Sequence, residues 1–355
     1  MMKEIGNLII AGFRGSSVSE DTRIQDWIHD FQLAGVILYD MDLEYKQLGT
    51  RNIRSAEQLK NLNISLQSFS KEPLFIAIDQ EGGKVSRLNT KYGFPEFPSW
   101  YESGRRDNLK FTKTYSKKLG KLLGYLHINL NFAPVLDVDG GSSSFIAKQG
   151  RALSSNIQKI TEHSRVFIEQ LQQQGVLCCG KHFPGQGSAS GDTHAGATDI
   201  TNTWDKQELG PYKSLIHSRH LDAIIVAHTF HNKFDAEFPA SMSRKTITDL
   251  LRIKLGFRGV VICDDPSMKA ISAHYNLKTT LKCMLYAGVD MFILGNNLEY
   301  DPHLIPNAVR CLQELVSEGA VSENRIYESL HRIQSVSYTH LRAHETEADS
   351  LCRLQ

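Results

Sequence analysis

The chain has 355 residues, of which 41% are hydrophobic and 22% are charged, as in ordinary globular proteins. This composition excludes an intrinsically disordered chain, and the length is typical of one large α/β barrel rather than of two full domains. The 40 basic and 39 acidic residues give a formal net charge of +1, so we expect no nucleic-acid partner.

The first apolar stretch, residues 8–13, is too short for a signal peptide or for a helix that crosses a membrane. We interpret it as the first β-strand and expect a cytoplasmic protein without a membrane partner. No cysteine belongs to a Cys-x-x-Cys motif, and four lie in apolar segments, where we expect reduced, buried thiols. These four are Cys178, Cys179, Cys263 and Cys283.

Eight short apolar, β-branched runs recur along the chain, each followed by a loop and a longer segment with helical spacing. The alternation is typical of βα units, and strands that are apolar on both faces favour a closed (β/α)8 barrel of the TIM type over an open doubly wound sheet. No Gly-x-Gly-x-x-Gly motif follows the first strand, which removes the main support for a dinucleotide-binding fold. The runs are residues 8–13, 35–39, 74–79, 130–138, 176–182, 223–228, 259–264 and 289–294.

Two of the intervening segments show a helical period with the apolar residues on one face. The second of these helices is expected to end at Gly175. The first set comprises Phe111, Tyr115, Leu119, Leu122 and Leu126, and the second comprises Ile157, Ile160, Phe167, Ile168 and Leu171.

The apolar period stops near Ser335, and residues 336–355 form a polar tail. The tail also resembles translated sequencing-adaptor sequence, which favours a non-native origin. We therefore assign one barrel domain to residues 1–335 and leave the tail outside the fold.

Ionisable residues interrupt the apolar strands at their carboxyl ends, which share one rim in a parallel barrel, where active sites are built. Helix capping or a satisfied loop explains any one of them, but six at one rim favour a reactive site. They are Asp79, Asp137, Lys181, His182, His228 and Asp264.

Residues 180–194 leave the fifth strand through Lys181 and His182 and continue as a glycine-rich loop. The loop ends in Asp192-Thr-His194. An aspartate two residues from a histidine can hold one ring nitrogen and raise the basicity of the other, as a proton shuttle near neutral pH requires. An Asx turn beside a surface histidine is the alternative interpretation.

The seventh strand is followed by the adjacent carboxylates Asp264 and Asp265 and then by Pro266. Because side chains alternate along a strand, the two carboxylates cannot both face the barrel axis. We expect one to be a nucleophile and the other to cap a helix that begins near Pro266, with two helix caps as the alternative.

Residues 75–88 end a strand at Asp79 and continue as Gln-Glu-Gly-Gly towards Arg87. Carboxylate, amide, arginine and lysine side chains are the groups that bind sugar hydroxyls. A salt-bridged loop without a ligand is the alternative.

Taken in order, four motifs and the Ala-Gly-Phe-Arg-Gly start at residues 11–15 resemble glycoside hydrolase family 3, and within it the single-domain bacterial β-N-acetylhexosaminidases. The resemblance extends to about residue 335. The motifs are Asp-Gln-Glu-Gly-Gly-x-Val-x-Arg at 79–87, Asn-Phe-Ala-Pro-Val-Leu-Asp-Val at 131–138, Lys-His-Phe-Pro-Gly-x-Gly at 181–187 and Asp-Asp-x-x-Met at 264–268.

The resemblance implies a retaining hydrolase of terminal β-linked N-acetylglucosamine, typically in fragments derived from peptidoglycan, with no metal and no organic cofactor. It assigns Asp264 as the nucleophile and Asp192 with His194 as the acid/base dyad. The sugar-binding residues that it implies are Asp79, Arg87, Arg151, Lys181 and His182.

Three residues depart from the family pattern: Gln186 replaces a usual histidine, and Cys263 and Pro266 replace a serine and a leucine. A family-3 phosphorylase, a β-glucosidase-like enzyme and a silent sugar-binding protein remain alternatives. A metal-dependent hydrolase is a further alternative. We expect the protein to be a monomer under each of these interpretations. The metal ligands would come from His182, His194, His228, His231 and Asp264.

Overall fold

A computed structural model describes residues 4–192 and 196–337. Eight parallel strands form a closed barrel in chain order, with the first strand paired to the last, which confirms the (β/α)8 prediction. Each strand overlaps one of the eight predicted runs. The strands are β1 Ile9–Gly12, β2 Gly35–Leu38, β3 Phe75–Ile78, β4 Leu130–Asn131, β5 Leu177–Phe183, β6 Ala223–Val226, β7 Val260–Cys263 and β8 Met291–Leu294.

Helices surround the barrel, and both predicted amphipathic segments form helices. They are α1 Arg23–Phe31, α2 Ala56–Ser68, α3 Trp100–Arg106, α4 Leu109–Tyr125, α5 Phe145–Lys148, α6 Ile157–Gln172, α7 Gly210–His217, the π-helix Lys245–Lys254, α8 Lys269–Ser272, α9 Leu277–Ala287, α10 Leu304–Ser317 and α11 Glu323–Ser337. In the described part of the chain, no helix has the length and apolar character required to cross a bilayer. The boundary at residue 335 stays a prediction, because α11 continues to Ser337 and residues 338–355 lie outside the described residues.

Side-chain caps explain where several helices begin. Ser55 and Gln58 form a capping box at the start of α2, so two backbone N–H groups of the first turn are satisfied. Asn108, Asn156 and Asn276 accept a hydrogen bond from the third residue of α4, α6 and α9. The α6 segment ends slightly before the predicted stop at Gly175, which has a φ of 73°.

Every residue of the eight barrel strands is buried, because side chains of one strand face fill the barrel interior while those of the other face pack under the helices. Cys178, Cys179 and Cys263 are buried free thiols, as expected. Cys283 is also free, but it is only partly buried, because it lies on the outer helix α9.

An aspartate at the amino ends of the strands ties the last helix to the barrel. Asp290, which precedes β8, is fully buried and accepts hydrogen bonds from the Val261 N–H at 3.0 Å and from Ser329 Oγ at 2.8 Å. Arg332 donates to the same carboxylate at 3.0 Å, and Arg252 forms a further ion pair with it. The buried carboxylate of Asp290 therefore links β7, the π-helix and α11, at the end of the barrel opposite the predicted site.

Replacing Asp290 with alanine leaves these arginines without their common anion, so we expect a loss of about 3 to 5 kcal/mol in the free energy of unfolding. Denaturant unfolding measures this loss. Glu328→Gln is the matched control, since it removes only an exposed pair with Arg332 and should cost less than about 1 kcal/mol. Equal effects of the two substitutions would show that the burial of Asp290 is unimportant.

Candidate active site

The predicted rim residues follow neighbouring strands at their carboxyl ends. Because all eight strands run in one direction around a closed barrel, these side chains reach the same rim. Asp79 follows β3, Asp137 lies beyond β4, Lys181 and His182 lie at the end of β5, and Asp264 follows β7.

A chain of ion pairs links four residues at the rim. Lys181 Nζ lies 2.8 Å from Asp79 Oδ1 and 2.6 Å from Glu81 Oε1. Glu81 in turn accepts two hydrogen bonds from the guanidinium of Arg151, at 2.9 and 2.8 Å. Arg151 comes from the loop after α5, so the bidentate pair brings that loop to the rim.

Burial and neighbouring charges shift the pKa values of Glu81 and Lys181 in opposite directions. Burial alone would raise the pKa of Glu81, but Arg151 and Lys181 hold it well below its usual range. Burial alone would lower the pKa of Lys181, yet Asp79 and Glu81 raise it above the ordinary value. Both groups are therefore charged at neutral pH, and each depends on the other for that charge.

His182 lies between this chain and Asp137. Its Nδ1 is 2.7 Å from Asp137 Oδ2, and its backbone N–H donates to Asp137 Oδ1 at 3.2 Å. Its Nε2 is 3.4 Å from Arg151 Nη2. Since a guanidinium only donates, Nε2 is the acceptor and Nδ1 donates to Asp137, which fixes the orientation of the ring.

Arg87 lies beside the same row of ion pairs but at longer distances. Its terminal nitrogens lie 3.8 Å from Asp79 Oδ2 and 3.9 Å from Asp40 Oδ1, beyond hydrogen-bond distance. Its Nε is buried, and no described residue accepts a hydrogen bond from it. The guanidinium therefore keeps donors for a ligand oxygen.

The adjacent aspartates have different surroundings, as strand alternation predicts. Asp265 is buried, and Ser267 donates to its Oδ1 from the backbone N–H at 2.9 Å and from Oγ at 2.7 Å. The Gly295 N–H, beyond β8, donates to Oδ2 at 3.0 Å. Asp264 is partly exposed, and its Oδ1 accepts the Asp265 N–H at 3.0 Å. Asp265 is thus a cross-link within the barrel, and Asp264 is presented at its rim.

The prediction of a helix that begins near Pro266 is wrong. Helix α8 begins at Lys269, because Met268 has a non-helical backbone with a ψ of 140°. Asp265 closes a turn with Ser267 in place of capping that helix.

The predicted dyad is only partly within the described residues. Asp192 is partly exposed in the segment that follows β5. His194 lies outside the described residues, so the pairing of the two remains a prediction.

His228, one of the predicted rim residues, has a hydrogen-bond partner at each ring nitrogen. Its Nε2 lies 3.1 Å from the backbone oxygen of Asp265 and its Nδ1 lies 2.8 Å from Ser241 Oγ. Because a carbonyl oxygen only accepts, Nε2 donates to it. His228 therefore connects the ends of β6 and β7.

Among residues 4–192 and 196–337, no group of three or more histidine, cysteine, aspartate or glutamate side chains is arranged to hold a metal ion. His231, one of the proposed ligands, packs its ring against Phe234 at a centroid distance of 4.3 Å and against Trp204 at 5.2 Å.

Sequence reasoning missed three acids that shape the site. Glu81 stands inside a recognised motif, but only its buried contacts reveal its role. Asp40 stands two residues after β2, where the strand-end argument could have found it. Glu208 lies in the short helix Lys206–Leu209, where the sequence offers no signal of its burial.

A family model described as the glycosyl hydrolase family 3 N-terminal domain matches residues 2–336. The chain belongs to glycosyl hydrolase family 3. A β-hexosaminidase of Idiomarina loihiensis is 33% identical over 291 residues, which cover 78% of this chain and 86% of that protein. A β-hexosaminidase of Haemophilus influenzae is 31% identical over 330 residues, which cover 85% and 90%.

Solved structures of family-3 enzymes share the fold. A β-N-acetylglucosaminidase from Paenibacillus sp. str. FPU-7 superposes with a TM-score of 0.85 at 28% identity over 95% of this chain. A fungal multi-domain family-3 β-N-acetylglucosaminidase gives 0.86 at 27% identity over 96%. This family-3 chain spans 62% of the Paenibacillus chain and 40% of the fungal one.

Burial raises the pKa of Asp265 to about 6, although Ser267 favours its charged form. The folded protein therefore keeps a proton that the unfolded chain releases, and this contribution to stability is lost as the pH rises through about 6. We expect the stability advantage of wild type over Asp265→Asn to shrink by roughly 2 kcal/mol between about pH 4 and about pH 7. Unfolding curves across this range measure the difference, and a constant difference would contradict the prediction.

Proposed function

We propose that this chain is a retaining β-N-acetylhexosaminidase that hydrolyses terminal β-linked N-acetylglucosamine. Family membership and the β-hexosaminidase relatives support the reaction class. The observation that carries the proposal is the presence, at one barrel rim, of a partly exposed carboxylate on Asp264 and a chain of charged groups suited to sugar hydroxyls.

In the proposed complex, the ion-pair chain binds the terminal sugar. Asp79 keeps oxygen atoms that accept from hydroxyl groups, and Arg87 keeps donors because its distances to Asp79 and Asp40 are long. Lys181 and Arg151 are held in place by Glu81, so little side-chain ordering remains to be done when the substrate binds.

In the proposed mechanism, Asp264 attacks the anomeric carbon while His194, oriented by Asp192, protonates the departing glycosidic oxygen. A covalent glycosyl-aspartate results. His194 then removes a proton from water, which attacks the anomeric carbon and releases Asp264 and the sugar. Histidine has an ordinary pKa of about 6.5, so it can alternate between acid and base near neutral pH.

Four finer points are part of the same proposal. The substrates are fragments derived from peptidoglycan, the enzyme acts in the cytoplasm, and it is a monomer that needs no cofactor. The substrate and the compartment follow from the resemblance to the family.

We expect wild type to release nitrophenol from the β-N-acetylglucosaminide and not from the β-glucoside. Asp264→Ala should lower kcat for the first substrate by about 10⁴-fold or more, because the covalent step has no nucleophile. Initial rates measured by nitrophenol absorbance test this.

Asp249→Ala, an exposed aspartate of the π-helix, is the control and should keep full activity. Turnover that survives in Asp264→Ala would show that the nucleophile is misassigned. A requirement for phosphate would replace hydrolysis by phosphorolysis, and saturable sugar binding without turnover would indicate a silent sugar-binding protein.

His194→Ala should slow the hydrolysis of substrates with poor leaving groups by roughly 10²- to 10⁴-fold, because protonation of the departing oxygen is lost. The first step on a dinitrophenyl substrate should change little, since that leaving group needs no proton. Burst and steady-state rates on both substrates separate the two steps. The control is His29→Ala, whose side chain is 72% exposed on α1, and unchanged rates in His194→Ala would exclude this histidine.

A further inference from the structure

Three successive backbone N–H groups follow Gly185, and all three are bound by buried carboxylates. The Gln186 N–H donates to Asp137 Oδ1 at 2.8 Å. The Gly187 N–H donates to Glu208 Oε2 at 2.8 Å, and the Ser188 N–H donates to Glu208 Oε1 at 3.1 Å. Both oxygens of Glu208 are therefore used to hold one stretch of backbone.

That stretch is the start of the segment that carries Asp192. Ser188 precedes Asp192 by four residues, a distance of at most about 14 Å even in a fully extended chain. Asp137, which holds Gln186, also orients His182. The beginning of the segment is thus fixed relative to the sugar-binding residues.

Glycines allow the close approach that these bonds require. Gly185 has a φ of 121°, and a Cβ at this position would lie 2.5 Å from Glu208 Cβ and Oε2. A Cβ on Gly187 would overlap the backbone oxygen of Val138. The segment is therefore pressed between Glu208 on one side and the chain after β4 on the other.

Glu208 is rigidly supported. Only 4% of its surface is exposed, and its helix is capped by Asp205, whose side chain accepts the Gln207 N–H. From the same region, Trp204 Nε1 donates to the Pro184 backbone oxygen at 3.2 Å, just before the bound stretch. Residues 204–208 therefore hold the start of the segment at two points.

The nearby carboxylate of Asp137 repels a negative charge on Glu208. Burial and Asp137 raise the pKa of Glu208 to about 7, against the hydrogen bonds from Ser188 and Gly187. The other groups that face Glu208 are the phenol of Tyr212 on α7 and the hydroxyl of Ser188. A glutamine would avoid the repulsion, but it has one acceptor oxygen and one NH₂ donor and could not accept both N–H groups, so the carboxyl group has a specific geometric role.

We propose that Glu208 is a positioning residue for catalysis, which fixes the start of the segment that delivers Asp192 and His194 to the glycosidic oxygen. It touches neither the substrate nor the reacting atoms and acts through the backbone of Gly187 and Ser188. The inference rests on the proposed glycosidase function and adds to it a residue outside the family motifs.

The test uses leaving groups, because only a poor leaving group needs the acid. In Glu208→Gln, one of the two N–H groups faces an amide NH₂ in place of an acceptor. We expect kcat/KM for a disaccharide of β-linked N-acetylglucosamine to fall about 10- to 100-fold, while kcat/KM for the dinitrophenyl glycoside changes less than about 3-fold. KM should stay within about 2-fold, since the sugar-binding chain is untouched.

Circular dichroism establishes that the variant is folded, and the matched control is Glu237→Gln, an exposed glutamate in the loop after β6. If Glu208→Gln does not fold, Glu208→Asp replaces it, since it keeps the charge but is one methylene shorter. The same selective loss is then expected.

An equal fall on both substrates would overturn the proposal, because it would indicate a general effect on the fold or the site. No fall on either substrate would overturn it as well. These outcomes differ from failure of the proposed function, in which wild type itself turns over neither substrate and the role of Glu208 falls with it.

Discussion

The rim depends on the buried carboxylate of Glu81, which binds Lys181 at 2.6 Å and Arg151 through two hydrogen bonds. Without this anion, two buried cations would repel each other in a region of low dielectric, and the loop that carries Arg151 would lose its attachment. The same contacts align Lys181 with Asp79 and Arg151 with His182. The arrangement of all four side chains at the rim thus depends on one buried charge.

The fold was predictable because its signals are local and repeated. Eight apolar runs with helical segments between them specify βα units, and a parallel sheet of that composition must be covered on both faces. Asp79, Lys181, His182 and Asp264 were also predictable, because polar residues at strand ends share a rim in this architecture. Arg151 was named only through the family resemblance, since it lies in a loop whose course the strand pattern does not determine.

The remaining parts of the site depend on contacts between residues far apart in sequence. Glu81 and Arg151 are 70 residues apart, and Glu208 binds backbone about 20 residues before it. A glutamate in a polar helix has the same sequence signature whether it is exposed or buried, so no periodicity marks Glu208. The helix predicted near Pro266 failed for a related reason, because Asp265 is bound by Ser267 in a turn and by the Gly295 N–H from the segment after β8.

The bond between Asp265 and the Gly295 N–H joins the neighbour of Asp264 to the end of β8, and β8 closes the barrel against β1. The position of Asp264 therefore depends on an intact seam between the first and last strands. A partial opening of this seam would displace Asp264 while most of the secondary structure persists. Under the proposed mechanism, activity is thus a more sensitive indicator of barrel closure than helix content.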